Sequence, residues 1–244
     1  MNRIEAMQKI ESKDWYKATG TEIQAQLKNL SSKWDGFLID LAQRADIIGG
    51  LNVLSMEKLV CGNFATIPMF SVVNQKGDRY TYEYISWRQG PASGAKGMVF
   101  ISDDMGKITH YVDMKSEKFA AGGKTSTDAI GGFVEKIDED GINKLLATFL
   151  RECKEELGVT ETSINEIIPL GSVALDYGMT NNCPDIFAVV MKMPQIGKNT
   201  DLLEVTSAIS IRPIDNLKED IKSNKDGFTS IVIAKLWANG KIIS

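Results

Sequence analysis

Apolar positions in the first sixty residues recur at helical spacing. Within 21–48, Ile23, Leu27, Leu30, Trp34, Phe37, Leu38 and Leu41 fall near one face, and Gly49 and Gly50 end the pattern. A shorter apolar stretch, 51–60, follows. Residues 1–65 are therefore expected to form an N-terminal helical extension, and 66–244 a second domain. From about Pro68 the period changes to that of strands. PMFSVVN and RYTYEYISWR flank the turn QKGD, and GAKGMVFISDD and KITHYVDM form a hairpin joined by MG. AAGGKTSTDAIGG reads as a glycine-containing loop. Residues 142–157 carry the strongest helical pattern, with Ile142, Leu145, Leu146, Phe149, Leu150, Cys153 and Leu157 on one face and Gly158 placed to end it. IIPLGSVALDY, DIFAVVMKM and AISIRPI read as strands. FTSIVIAKLWANG reads as a closing helix with Gly240 past its end. This order predicts an α/β or α+β domain with helices packed on a sheet.

Charge and composition exclude several classes. The chain has 28 Lys and Arg against 32 Asp and Glu, a net charge of -4, which argues against a nucleic acid polymer as partner. A single phosphorylated small molecule remains compatible. Cys61, Cys153 and Cys183 are widely spaced and form no CxxC pair, so neither a disulfide framework nor a structural zinc site is expected. The polar start and the lack of an apolar run near the ~18 residues of a membrane span predict a soluble, cytoplasmic protein without a membrane partner. The single histidine, His110, lies in a strand-like stretch and excludes an HExxH metal site. GGKT at 122–125 lacks the first glycine of a P-loop, because Lys118 stands there.

The chemistry concentrates at 131–159, GGFVEKIDEDGINKLLATFLRECKEELGV. Glu152, Glu155 and Glu156 sit at i, i+3 and i+4, which places three carboxylates on one helix face, off the apolar stripe. Such crowding costs helix stability unless a cation offsets it. Mg²⁺ suits carboxylate oxygens together with water and phosphate oxygens. The plain alternative is a solvated face screened by Arg151 and Lys154.

Arg151-Glu152-Cys153-Lys154-Glu155-Glu156-Leu157-Gly158-Val159 resembles the second half of the Nudix box, R-E-U-x-E-E-x-G-U with U apolar. Gly131-Gly132-Phe133-Val134-Glu135 resembles its opening. The chain departs from the box in its loop. Five residues after Gly132 comes Asp138 where the box has Glu, with 133–137 between them, and twelve residues rather than seven separate Asp138 from Arg151. Asp138, Glu139 or Asp140 could take the place of the box's first acid.

The resemblance implies an α/β/α sandwich with a mixed sheet and a magnesium-dependent hydrolase, with manganese as a substitute ion. The substrate would be a nucleoside diphosphate linked to another group, ADP-ribose or a nucleotide sugar. Glu152, Glu155 and Glu156 would bind the metal, and Arg151 would orient the acids by an ion pair. Gly132 would permit the close turn, and Glu135 would contact substrate. The general base would be Glu155 or Glu156, or a later acid, Glu204 or one within Asp215–Asp220. SVALDYGMTNNCPDIFAVVM loosely resembles the strand junction of the ADP-ribose pyrophosphatase branch. The aromatics of RYTYEYISWR read as sheet core; in that branch they would supply a base-stacking surface and a homodimer contact. Two other classes stand beside the hydrolase: a non-catalytic nucleotide-binding sensor, and a scaffold whose N-terminal helices hold a partner protein.

Overall fold

The computed structural model of the chain describes residues 1–118, 122–135, 138, 143–192 and 206–242. The chain divides into two compact units, Met1–Ser93 with Ala174–Cys183, and Gly94–Val173 with Pro184–Ser244. The first opens on α1 (Arg3–Ser12), where Asn2 accepts from the Glu5 amide and Glu5 accepts from the Asn2 amide. α2 (Asp14–Lys17), α3 (Thr21–Lys28) and α4 (Asp35–Gln43) follow. The periodic stretch expected over 21–48 is thus two helices, parted where Asn29, Ser31 and Ser32 favour caps and turns over helix interior.

Helix then gives way to sheet. β1 (Ile47–Ile48) and β2 (Leu51–Cys61) pair antiparallel, and β2 continues to β3 (Ala65–Val73), which pairs with β4 (Arg79–Glu83) and β5 (Ser86–Trp87). The expected helical extension over 1–65 therefore contains an eleven-residue strand. The boundary falls at Ser93 instead of near residue 65. The cause is backbone pairing: Asn52 through Cys61 bond across to Thr66 through Val73, and a boundary between them would orphan that ladder. Trp15, Leu27, Phe37, Leu41, Met56 and Phe70 form the heart of this unit's core. Tyr80 and Tyr82 of the edge strand β4 are exposed, contrary to their reading as sheet core; Tyr84, just beyond it, is buried.

The second unit is built on a mixed sheet. Its strands are β6 (Ala95–Ser102), β7 (Ile108–Lys118), β8 (Lys124–Thr127), and, after α5 (Lys144–Leu157), β9 (Ile164–Ser172), β10 (Asp185–Met191) and β11 (Thr206–Pro213). α6 (Leu217–Ser223) and α7 (Gly227–Ala238) close the chain. The strand order is β11-β7-β6-β10-β9, with β8 against β7; among the described residues β6 and β10 pair parallel and the other neighbours antiparallel. The hairpin joining β6 to β7 is the expected one, turned by Asp103, whose carboxylate accepts from the Met105 and Lys107 amides. The stretch expected to be a glycine loop contains β8.

The central strands are buried on both faces, which is why they read as continuous apolar runs. Val99, Ile101, Phe187 and Val189 face α5, whereas Met98, Phe100, Ala188 and Val190 face α7. Helices on both sides of a sheet make an α/β/α sandwich. α7 starts where Asp226 accepts from the Thr229 amide, and it buries Val232, Ile233 and Leu236. Among the described residues, no helix is long and apolar enough to cross a membrane.

Candidate active site on helix α5

Packing fixes which way α5 turns its charged side. Asn143 caps its start by accepting from the Leu146 amide, and Gly158 ends it at φ +68. Phe149, Cys153 and Leu157 are fully buried against the sheet, with the Phe149 ring stacked on Phe187 at 5.6 Å. Burying Phe149 and Leu157 stabilises this docking by about 1.5–3 kcal/mol each. Burial also pushes the Cys153 thiol well above its usual range, which leaves it protonated and inert.

Arg151, on the remaining face, gathers the site. Its Nη1 stands 2.9 Å from Glu152 Oε1 and 2.9 Å from Glu155 Oε2. Its Nη2 donates to the Phe133 carbonyl at 3.0 Å, and its Nε donates to Asp138 Oδ1 at 3.2 Å. Glu135, more exposed, lies 3.9 Å from the same guanidinium. One delocalised cation thus serves several acceptors, as a guanidinium fork can and an ammonium cannot.

Of the three candidate acids, Asp138 lies beside Arg151; Glu139 and Asp140 lie outside the described residues. Only 4% exposed, Asp138 accepts from Arg151, from the Glu135 amide at 2.8 Å and from the Thr148 hydroxyl at 3.0 Å. Burial alone would raise its pKa, but Arg151, the Glu135 amide and Thr148 hold it below the ordinary carboxylate value. A folded-state pKa below the unfolded one stabilises the fold above the unfolded value, and that stability is lost as pH falls through the folded value. Asp138→Asn should therefore lower the urea midpoint near neutral pH, with a deficit that shrinks once pH drops below about 4. Urea titrations across that range check this, and a constant deficit would count against the charge.

The box entry is stitched to the first central strand. Ile130 and Gly97 exchange amide bonds of 2.9 Å, and the Ala95 amide donates to the Gly132 carbonyl at 3.1 Å. Gly131 has φ +139, a conformation other residues rarely adopt. Gly132 is needed for space: a Cβ there would stand 2.2 Å from Glu152 Oε1.

Two of the three helix acids are not on a solvated face. Glu152 is 9% exposed and Glu156 5%, while the Glu155 side chain is 42% exposed. Burial pushes the Glu152 carboxyl up, with Arg151 opposing. Lys96 also favours the charged form of Glu152, while its ammonium binds the Gly131 carbonyl at 2.8 Å. Lys96 and Thr148 are the residues sequence reasoning missed. Their signals were a lysine heading an apolar strand and a threonine within a packed helix.

Among the described residues, no three His, Cys, Asp or Glu side chains stand close enough to share one metal ion. Arg151 holds Glu152 and Glu155 instead. The chemistry of the donors nonetheless suits Mg²⁺: all are hard carboxylate oxygens. The later acids do not join the site. Asp215 is exposed, Glu219 pairs with Lys222, and Asp220 accepts from Tyr111 and Arg212 on the α7 side of the sheet. Glu204 lies outside the described residues. His110 sits in β7 opposite Pro213.

Comparison with solved structures bears on the fold. A crystal structure of an ADP compounds hydrolase is similar at 15% identity, over 81% of this chain and 100% of that one, with a TM-score of 0.50. The NUDIX domain of Shewanella oneidensis NrtR, complexed with ADP ribose, is similar at 15% identity over 59% of this chain and 85% of that one, with a TM-score of 0.43. No family model and no curated protein matches the chain. The likeness bears on the fold alone, and the described elements form the α/β/α sandwich that the resemblance implies.

Proposed function

We propose that this chain is a Nudix hydrolase: a magnesium-dependent pyrophosphohydrolase that cleaves a nucleoside diphosphate linked to another group, ADP-ribose or a nucleotide sugar. The observation that carries the reading is Arg151 holding Asp138, Glu152 and Glu155 beside the Gly131–Gly132 turn. The similar fold of a protein described as an ADP compounds hydrolase supports the substrate class.

Glu152, Glu155 and Glu156 would hold Mg²⁺, which supplies charge neutralisation at the phosphate oxygens and a more acidic water. Arg151 orients Glu152 and Glu155, and Asp138 in turn fixes Arg151. The missing side chain of Gly132 lets the Glu152 carboxylate lie against the turn. Burial of Glu152 and Glu156 withholds water from their carboxylates, so each attracts a cation more strongly than it would in solution. Glu155, the most exposed of the three, takes the proton of the attacking water. Glu135, at the exposed rim, contacts substrate beyond the phosphates.

The test is incubation of the full chain with ADP-ribose and Mg²⁺. AMP and ribose 5-phosphate should appear, and a chelator should stop their release. Tight ADP-ribose binding without turnover in Mg²⁺ or Mn²⁺ would favour the sensor instead. Neither binding nor turnover of ADP-ribose, nucleotide sugars, NADH or dinucleoside polyphosphates would end the proposal.

A further inference from the structure

The sheet of the first unit ends on an open edge. Its strand order is β1-β2-β3-β4, so β4 pairs with β3 on one side, and its other side has no backbone partner among the described residues. Arg79, Tyr80, Thr81, Tyr82 and Glu83 are all exposed. Such an edge is a template for another strand, and proteins commonly blunt it with a proline, a bulge or a very short strand. Two other edges are blunted in these ways. β1 is two residues long, and β9, at the edge of the second unit's sheet, carries Pro169 and two register shifts. β4 pairs with β3 without a register shift, contains no proline, and is built of residues that favour strands.

The two faces of β4 differ. Tyr82 and Tyr80 stand opposite Phe70 and Val72, on the face that carries the unit's core. Phe70 and Val72 are 6% and 2% exposed, whereas Tyr80 and Tyr82 are 43% and 38% exposed. The cover of this face therefore stops at β3. On the other face stand Arg79, Thr81 and Glu83. Thr81 donates to Glu57 at 2.9 Å, whereas Arg79 and Glu83 have no ion-pair partner among the described residues.

This edge is complementary to itself. Arg79 and Glu83 lie two residues either side of Thr81 with opposite charge, and Tyr80 and Tyr82 flank it. A second copy laid antiparallel about a two-fold axis at Thr81 puts Arg79 of each chain opposite Glu83 of the other. It also puts Tyr80 opposite Tyr82, twice over. Opposite charges and aromatic pairs directly across a ladder both favour pairing. The pleat keeps core face beside core face only when the axis passes through a residue. An axis at Tyr80 would set Arg79 against Thr81, and one at Tyr82 would set Glu83 against Thr81, so neither joins the charges.

We propose that β4 is a self-pairing strand, through which two copies of this chain join by a backbone ladder and two Arg79–Glu83 ion pairs. An isologous contact matches both ends of the strand at once, which selects a second copy as the occupant. A ladder of five residues is smaller than the ~1,200–2,000 Å² of a stable interface, so the dimer is weak and reversible. It lies away from α5 and does not depend on the proposed hydrolysis.

Sedimentation velocity of the full chain, from roughly 1 to 500 μM, tests the proposal over the range of a weak contact. The parent should show a monomer–dimer equilibrium. Arg79→Glu and Glu83→Arg each turn both ion pairs into like-charge pairs, and each should raise the dissociation constant by about tenfold or more. Mixing the two variants should restore association, because an acidic strand then faces a basic one. The double variant Arg79→Glu/Glu83→Arg should restore it alone. Both side chains are exposed, so circular dichroism and melting temperature should not change. A parent that stays monomeric overturns the proposal and leaves the edge to a strand of another protein. A dimer equally strong in either single variant overturns it too, as does a mixture that associates no better than its components.

Discussion

Arg151→Ala is expected to destabilise the second unit by about 3–5 kcal/mol, the usual cost of removing one partner from a buried charge pair. The size follows from what is left behind. Asp138 and Glu152 are 4% and 9% exposed, and both depend on this guanidinium for charge compensation. The Phe133 carbonyl loses its donor as well. A substitution that only removed an exposed ion pair would cost well under 1 kcal/mol. Arg151→Lys should recover part of the loss, since an ammonium keeps the charge but cannot reach around to Asp138, Phe133 and the helix acids together. Urea midpoints of the three proteins decide it. A midpoint for Arg151→Ala within experimental scatter of the parent would mean that the buried acids are held by something else.

The sequence made α5 legible because its apolar period and its Gly158 stop describe one helix. The central strands were equally plain, because burial on both faces leaves an unbroken apolar run. β2 was not legible for a physical reason. Its pairing with β3 shifts register between Val53 and Ser55 and again between Met56 and Lys58. Each irregularity breaks the period-two pattern by which a strand is recognised. At the candidate site, residue types and order pointed to the box, and spacing brought Asp138 into view, but the lengthened loop left three acids in competition. The fold puts Asp138 against Arg151 and Thr148, a contact that spacing alone does not show. The burial of Glu152 and Glu156 was likewise invisible, because a helical wheel sees the helix and not the turn that folds over it.

Glu155→Gln should reduce turnover of ADP-ribose by roughly 10²–10⁴-fold, the range lost when a proton acceptor is removed. It should barely change stability. The side chain is 42% exposed, and its pair with Arg151 is of the i,i+4 kind, contributing about 0.3–0.5 kcal/mol. Glu156→Gln should behave differently. At 5% exposure its carboxylate is buried, and the amide would bring N–H donors into a site suited to a cation. Its main effect should be a higher Mg²⁺ requirement, with turnover partly restored by more Mg²⁺, whereas added Mg²⁺ should leave Glu155→Gln slow. Turnover against Mg²⁺ concentration for the two variants, with melting curves alongside, separates a proton acceptor from a metal ligand. Folded variants that both turn over at the parent's rate would remove these glutamates from the chemistry. A Glu155→Gln enzyme rescued by Mg²⁺ would instead make Glu155 a ligand only and return the search for the base to Glu156.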